Sequence, residues 1–244
     1  NKLGILNLIN KFAVYGIRYD ALITVAKKSL TQRTKTKLVT VIGNGVNIEK
    51  FDEVNAKEKR KTLDLLWVGR MVPVKGLSLL ISVFGELASK YPNLVLKLIG
   101  DGPERSNLEG LAKQLNLQTK IIFNGSILGK EKELIKIYKQ SDVFVLPSLS
   151  AEGFPVTIVE AMAAKLPVIA SDIGDTDVLV QNGITGYLVH PGDPKDLLEK
   201  IIELIGSSRG PEMGRQGYNL VKEKYTWNLI TQQVYEVYSK ILKN

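Results

Sequence analysis

The 244-residue sequence contains no cysteine and a single histidine. Without cysteine there is no disulfide framework and no thiolate metal site, which fits a reducing compartment. Aromatic residues make up only 7%, and the lysines are dispersed rather than interleaved with them. That argues against a nucleic-acid partner, which needs a basic face with stacking surface. No apolar run reaches the ~18–20 residues of a membrane span. Asn7, Asn10 and Lys11 interrupt the first apolar stretch, and no small-residue cleavage site follows, so it does not read as a signal peptide. Two nucleotide fingerprints are also missing. No G-x-G-x-x-G follows a first strand, and no G-x-x-x-x-G-K-[ST] occurs. This argues against a nicotinamide dehydrogenase and a P-loop ATPase. The lone histidine, His190, lies between "GYLV" and "PGD" and reads as a loop residue rather than a general base. "DIGDTD", Asp172 to Asp177, carries three acids without the spacing of a calcium loop. It reads as solvated loop.

What is present is an ordinary globular composition, 44% hydrophobic and 24% charged, with a net charge of +8. A positive balance suits phosphate-bearing ligands or anionic lipid surfaces. It equally suits a basic, well-solvated surface. Near the start, Ile5, Leu8, Ile9 and Phe12 follow helical spacing, and Leu6, Ala13 and Ile17 make that helix apolar on other sides too. Such a helix is expected to be covered. "DALITVA" reads as a buried strand, "LVTVIGNGVN" as a second strand ending in a Gly-Asn turn, and "NAKEKRK", Asn55 to Lys61, as a solvated linker or loop.

Beyond the linker the pattern becomes regular. "LDLLWVG", "LVLKLIG", "KIIF", "VFVLP", "PVIAS" and "GYLV" read as strands. Helical patterns run over about Gly76–Lys90, Glu104–Leu115, Lys130–Gln140, Pro155–Ala164 and Pro194–Ile205. Two more, about Glu212–Lys224 and Thr226–Leu242, close the chain. Alternating strands and helices predict an α/β fold with a parallel sheet covered on both faces.

Ligands of such sheets bind beyond the carboxyl ends of the strands. The segments following the strands here gather glycines, cations and carboxylates. "GRMVPVKG" offers Arg70 and Lys75 on a Gly-flanked loop before a helix, a diphosphate-binding pattern or else two surface cations. "GDGPE", with Gly100, brings backbone close to a ligand or forms a plain turn. In "EGFPVTIVE", Pro155 suits a first helical position, and the amides near Gly153 and Phe154 are then available to a phosphate or hydroxyl. Glu152 projects from that loop. Glu160, about five residues into the helix and so roughly 7 Å along it, has the chemistry to accept from a vicinal diol such as a ribose. Helix-start and half-buried structural roles for the two glutamates stay open at this point.

In this order, "GRMVPVKG", "GDGPE", "FVLPS", "EGFPVTIVEAMAAKLPVIASDIG" and "NGITGYLVHPGD" resemble the nucleotide-binding domain of retaining glycosyltransferases of family four. The resemblance runs from about Leu38 to the C-terminus. It implies a Rossmann-like sheet forming the C-terminal half of a GT-B architecture, and a hexosyltransferase-type enzyme without metal or other cofactor. Its substrates would be a nucleotide sugar and an acceptor glycan or lipid-linked sugar. It also implies a cytoplasmic location, with or without peripheral contact at the inner face of the membrane. By the resemblance Arg70 and Lys75 bind the donor diphosphate, Glu152 faces the sugar and Glu160 holds the ribose. Gly153, Phe154, Pro155, Val156 and Gly100 join the donor site, and Leu128 and Lys130 lie by the nucleobase. Ala151 is one extra residue before Glu152, and Asp175 and Val178 stand where relatives often have Gly and Glu. The implied organisation is a remnant of the N-terminal acceptor domain over 1–37, a donor domain over 38–225 and a helix over 226–244 crossing back to the acceptor domain. The chain opens on Asn1, as a fragment would, so a missing domain or partner chain is expected. A GT-B epimerase and a non-catalytic nucleotide-sugar-binding subunit are the rival readings. A phosphorylase would carry a lysine-bound pyridoxal site, and none is identifiable.

Overall fold

A computed structural model describes residues 19–27, 36, 38–55, 61–127, 129–150 and 152–243. The expected helix around Ile5–Phe12, most of the charged linker, Leu128 and Ala151 lie outside the described residues.

Two short strands, β1 (Ala21–Thr24) and β2 (Leu38–Val41), pair in parallel as a small separate sheet; β1 is part-exposed rather than buried as its apolar run suggested, because its sheet has only two strands. A short helix follows, α1 (Ile48–Glu53), capped where Asn47 Oδ1 accepts from the Lys50 amide. The main sheet then begins with β3 (Leu63–Val68). It continues as α2 (Leu77–Lys90), β4 (Leu94–Ile99), α3 (Arg105–Gln114), β5 (Ile121–Asn124), α4 (Glu131–Lys139) and β6 (Val143–Leu146). The chain closes with α5 (Val156–Ala163), β7 (Val168–Ser171), α6 (Thr176–Leu179), β8 (Gly186–Val189), α7 (Pro194–Ile205), α8 (Gly210–Lys224) and α9 (Trp227–Leu242).

The six main strands are all parallel, in the order β5-β4-β3-β6-β7-β8. β6 and β7 are buried at every residue and β3 at all but its first. This is why those strands read as continuous apolar runs rather than alternating ones. Helix α2 packs on α3 and α7, α5 packs on α8, and α1 packs on α4. The apolar stripe of α2, Leu77, Leu80, Ile81, Phe84 and Leu87, is wholly buried, as its i, i+3, i+4 spacing requires. The structure is thus the Rossmann-like, doubly covered α/β fold expected.

The strand order reverses between β3 and β6, whose neighbours lie in opposite directions. A crevice opens beyond the carboxyl ends of strands at such a switch point. The expected divisions at 37/38 and 225/226 both fall across paired backbone. β1 pairs with β2. Val46 donates to the Tyr225 carbonyl at 2.8 Å and accepts from the Trp227 amide at 3.2 Å. Among the described residues, no helix is long and apolar enough to cross a membrane.

Candidate functional site at the sheet switch point

The loop after β3 turns through a short 3-10 segment, Pro73–Lys75, and enters α2 at Gly76. Gly76 adopts a left-handed backbone (φ 67°), and a Cβ there would fall 2.0 Å from the Pro147 carbonyl oxygen. Only glycine meets both demands. The β3 loop can therefore lie against the loop after β6, and the Leu149 amide donates to the Val74 carbonyl at 2.7 Å. This contact brings together residues far apart in sequence. Lys75 Nζ stands 2.5 Å from Glu152 Oε1, and Ser148 Oγ donates to the same oxygen at 2.5 Å. Glu152 is 7% exposed and Lys75 25%. A nearly buried carboxylate is tolerated there because a cation and a hydroxyl both satisfy it.

The Glu152 loop is held from its other side by the loop after β7. Gly174 is also left-handed, and a Cβ on it would lie 1.7 Å from the Glu152 carbonyl oxygen. Next to it, Asp175 is buried, and its carboxylate accepts from the Lys27 amide beyond β1. "DIGDTD" is therefore not a solvated loop throughout. Asp175 ties the small sheet to the main one, and Thr176 opens α6. The reading failed because acidic density alone cannot tell a solvated carboxylate from one that pairs with distant backbone.

Two adjoining cavities lie at the carboxyl edge. The larger, about 890 Å³, is lined by Gly69, Arg70, Gly100, Asp101, Ser126 and Ile127, among others. The smaller, about 310 Å³, is lined by Lys50, Phe51, Tyr138, Val156, Glu160 and Trp227, among others. Glu131 and Leu134 line both. Six of the expected residues thus fall into three groups. Arg70 and Gly100 border the large cavity, and Glu160 and Val156 the small one. Lys75 and Glu152 line neither cavity but bond to each other where the β3 and β6 loops meet.

Several placements differ from expectation. Pro155 caps α5 instead of being its first residue, and Val156 begins the helix. The Phe154 ring is buried against Gly43 and lies 5.2 Å from the Tyr225 ring. It is packing, so only its backbone is left to meet a ligand. The Phe154 carbonyl accepts from Asn44 Nδ2 at 3.4 Å. Lys130 precedes α4 with an exposed ammonium 3.5 Å from Glu133. It stands outside the large cavity, whereas its neighbours Gly129 and Glu131 line it.

Glu160 is half-buried and accepts from the Tyr138 hydroxyl at 2.8 Å. Burial raises its pKa above the usual carboxylate range, the Tyr138 hydrogen bond opposes that rise, and the Glu131 charge adds to it. Burial likewise pushes the Tyr138 phenol well up, with Glu160 adding to the effect. Tyr138 and Ser148 were both missed in the sequence. Tyr138 shares a helix face with Leu134 and Ile135 and reads as core. Ser148 sits in a Pro/Ser turn with no feature of its own. His190 is exposed beyond β8, with Nδ1 2.7 Å from Asp196 Oδ2, and that partner raises its pKa.

Known proteins resemble this chain over most of its length. Residues 47–219 match the family described as Glycosyl transferases group 1. The chain is 31% identical over 221 residues to the capsular polysaccharide biosynthesis glycosyltransferase CapM of Staphylococcus aureus, covering 86% of this chain and 57% of that protein. It is 30% identical over 208 residues to an Escherichia coli UDP-Gal:alpha-D-GlcNAc-diphosphoundecaprenol alpha-1,3-galactosyltransferase, covering 75% and 51%. The solved structure of a glycosyltransferase from Rickettsia africae matches with a TM-score of 0.80 at 25% identity, over 91% of this chain and 63% of that one. The chain thus spans a little over half the length of the curated relatives it matches. Covering the whole main sheet and both switch-point loops, the family match settles descent: the chain belongs to the glycosyl transferases group 1 family.

Proposed function

We propose that this chain is the donor-binding part of a glycosyltransferase, one that passes the sugar of a nucleoside diphosphate sugar to an acceptor glycan or lipid-linked sugar with retention of anomeric configuration. The observation that carries the reading is the Lys75–Glu152 pair at the switch point, beside a cavity that opens on the same loop through Gly69 and Arg70. As the anomeric C–O bond breaks, negative charge grows on the departing diphosphate. Arg70 and Lys75 are the cations positioned to offset it, in a site already organised for charge. Glu152 faces the sugar, and Glu160 accepts from the ribose diol in the small cavity. The E. coli relative's name specifies a UDP-Gal donor, so UDP is the first diphosphate to test.

Calorimetry with nucleoside diphosphates and nucleosides tests the reading. Wild-type chain is expected to bind a diphosphate well and the matching nucleoside weakly. Glu160→Gln should weaken ribonucleotides more than 2′-deoxy analogues. Glu152→Gln should affect the sugar-bearing donor more than the bare diphosphate. Identical effects of both substitutions across these ligands would refute the division of labour. A second reading rests on the span of the chain relative to its relatives: a nucleotide-sugar-binding module that serves a separate acceptor-binding chain. Sugar transfer by the gene's full product, but not by this chain beside a candidate partner, would dismiss that reading.

A further inference from the structure

The donor-site reading assigns no part to Tyr138, yet its side chain is the one that meets Glu160. We propose that Tyr138 is a positioning residue for Glu160, its hydroxyl fixing one carboxylate oxygen so that the group faces the small cavity in one orientation, ready to accept from a vicinal diol. The inference rests on that reading, which brings the ribose to Glu160.

Three observations carry it. First, the hydroxyl donates to Glu160 Oε2 at 2.8 Å, a good length for a hydrogen bond to a carboxylate. Second, the donor is itself held. Tyr138 is fully buried, with its ring 6.4 Å from that of Phe51 and 5.9 Å from that of Phe144. A phenol has two side-chain torsions, and this ring is locked in both by packing, so its hydroxyl is a fixed point rather than a mobile one. Third, both residues line the same cavity. They come from different helices, Tyr138 from α4 and Glu160 from α5. The bond therefore joins the two walls of the diol pocket.

Fixing the carboxylate also governs its charge. A half-buried carboxylate resists ionisation, and the negative Glu131 on α4 adds to that resistance. Tyr138 opposes both. The other ionisable group lining the cavity is Lys50 on α1, whose ammonium is 2.5 Å from Glu131 and so engaged there. A diol is held best by the charged carboxylate. Diol binding is accordingly complete above the pKa of Glu160 and lost as pH falls through it. Removing the hydroxyl should raise that pKa and move the loss to higher pH.

The test is Tyr138→Phe, which removes one oxygen and keeps the ring. Calorimetry would follow a ribonucleoside diphosphate and its 2′,3′-dideoxy analogue across pH, with Glu160→Gln and the double variant alongside. We expect a loss of about tenfold for the ribonucleotide at neutral pH and little for the dideoxy analogue. The acid limb of binding should shift upward in pH, and the hydroxyl should lose its effect in the Glu160→Gln background. Carbon-13 NMR of the labelled Glu160 carboxyl in the free chain, assigned by its loss in Glu160→Gln, should show the same upward shift without any ligand. Phe144→Leu is the packing control. It loosens the ring's surroundings but keeps the hydroxyl, so it should move the ribose-to-dideoxy ratio and the acid limb in the same direction but by much less than Tyr138→Phe. If Tyr138→Phe does not fold, 3-fluorotyrosine at position 138 replaces it. Its more acidic phenol is a stronger donor of nearly the same size, and it should shift the titration downward. Equal losses for both nucleotides, an unmoved titration, or a change with Phe144→Leu as large as that with Tyr138→Phe would overturn the proposal. Failure of the wild-type chain to bind any ribonucleoside diphosphate would instead overturn the donor-site reading, and the diol role with it.

Discussion

Replacing Lys75 with methionine is expected to destabilise the chain by about 3 kcal/mol. Its ammonium lies 2.5 Å from Glu152 Oε1, and the carboxylate side chain is 7% exposed. Removing one partner of a buried pair costs about 3–5 kcal/mol, because the other charge is left uncompensated away from water. Two features hold the figure at the lower end. Lys75 itself is a quarter exposed, and Ser148 Oγ still donates to Glu152 at 2.5 Å. For a chain of this size, 3 kcal/mol corresponds to about 6–12 °C in Tm. Glu152→Gln in the same chain should recover a large part of the loss, since an amide needs no counter-charge. A double-mutant cycle by urea unfolding reads the coupling directly, and about 1.5 kcal/mol or more is expected. Additivity within about 0.5 kcal/mol would refute the reasoning. It would mean that the pair does not join the β3 and β6 loops energetically, whatever its geometry.

Three further outcomes are expected. Arg70→Ala and Lys75→Ala should each weaken nucleoside diphosphate binding by about 1.5–3 kcal/mol while barely changing nucleoside binding; equal losses for both ligands in calorimetry would remove the phosphate role. Gly76→Ala adds the cost of a left-handed alanine, about 1–2 kcal/mol, to a Cβ placed 2.0 Å from the Pro147 carbonyl oxygen. Urea unfolding should show a loss above 2 kcal/mol, together with weaker diphosphate binding. His190 is the sole histidine, so proton NMR follows it without ambiguity. Its pKa is raised by the hydrogen bond to Asp196. Whatever stability that pair adds is complete below the unfolded value near 6.5 and is lost as pH rises through the folded value. Asp196→Asn should bring the titration back down, and an unmoved midpoint would rule out the pairing.

Much of the fold was legible in local pattern. All eight strands and the last seven long helices fall where apolar runs and 3.6-residue spacing place them, with ends displaced by a residue or two. Helix α1 was missed because six residues make fewer than two turns, too few for a periodicity to emerge, although its Asn47 cap is present. The glycines of "GRMVPVKG" marked a loop with special geometry, and Gly76 has it. Phe154 illustrates the limit in the other direction. It stands inside a ligand-like motif, but its ring packs against Gly43 and Tyr225, contacts that no short-range pattern encodes.

By itself the sequence determined what each segment is, because secondary structure follows from side-chain periodicity over ten or so residues and from Gly and Pro at the turns. It also determined the type of chemistry collected beyond the strand ends, because those loops carry cations and carboxylates whatever the strand order. Only the tertiary structure decided which groups meet. The return of β6 to the far side of β3 brings Lys75 to Glu152 across 77 residues. The packing of α4 beside α5 points the Tyr138 hydroxyl at Glu160. These pairings depend on strand order and on close approach at Gly76 and Gly174, which are properties of the whole packed chain and are written in no single stretch of it.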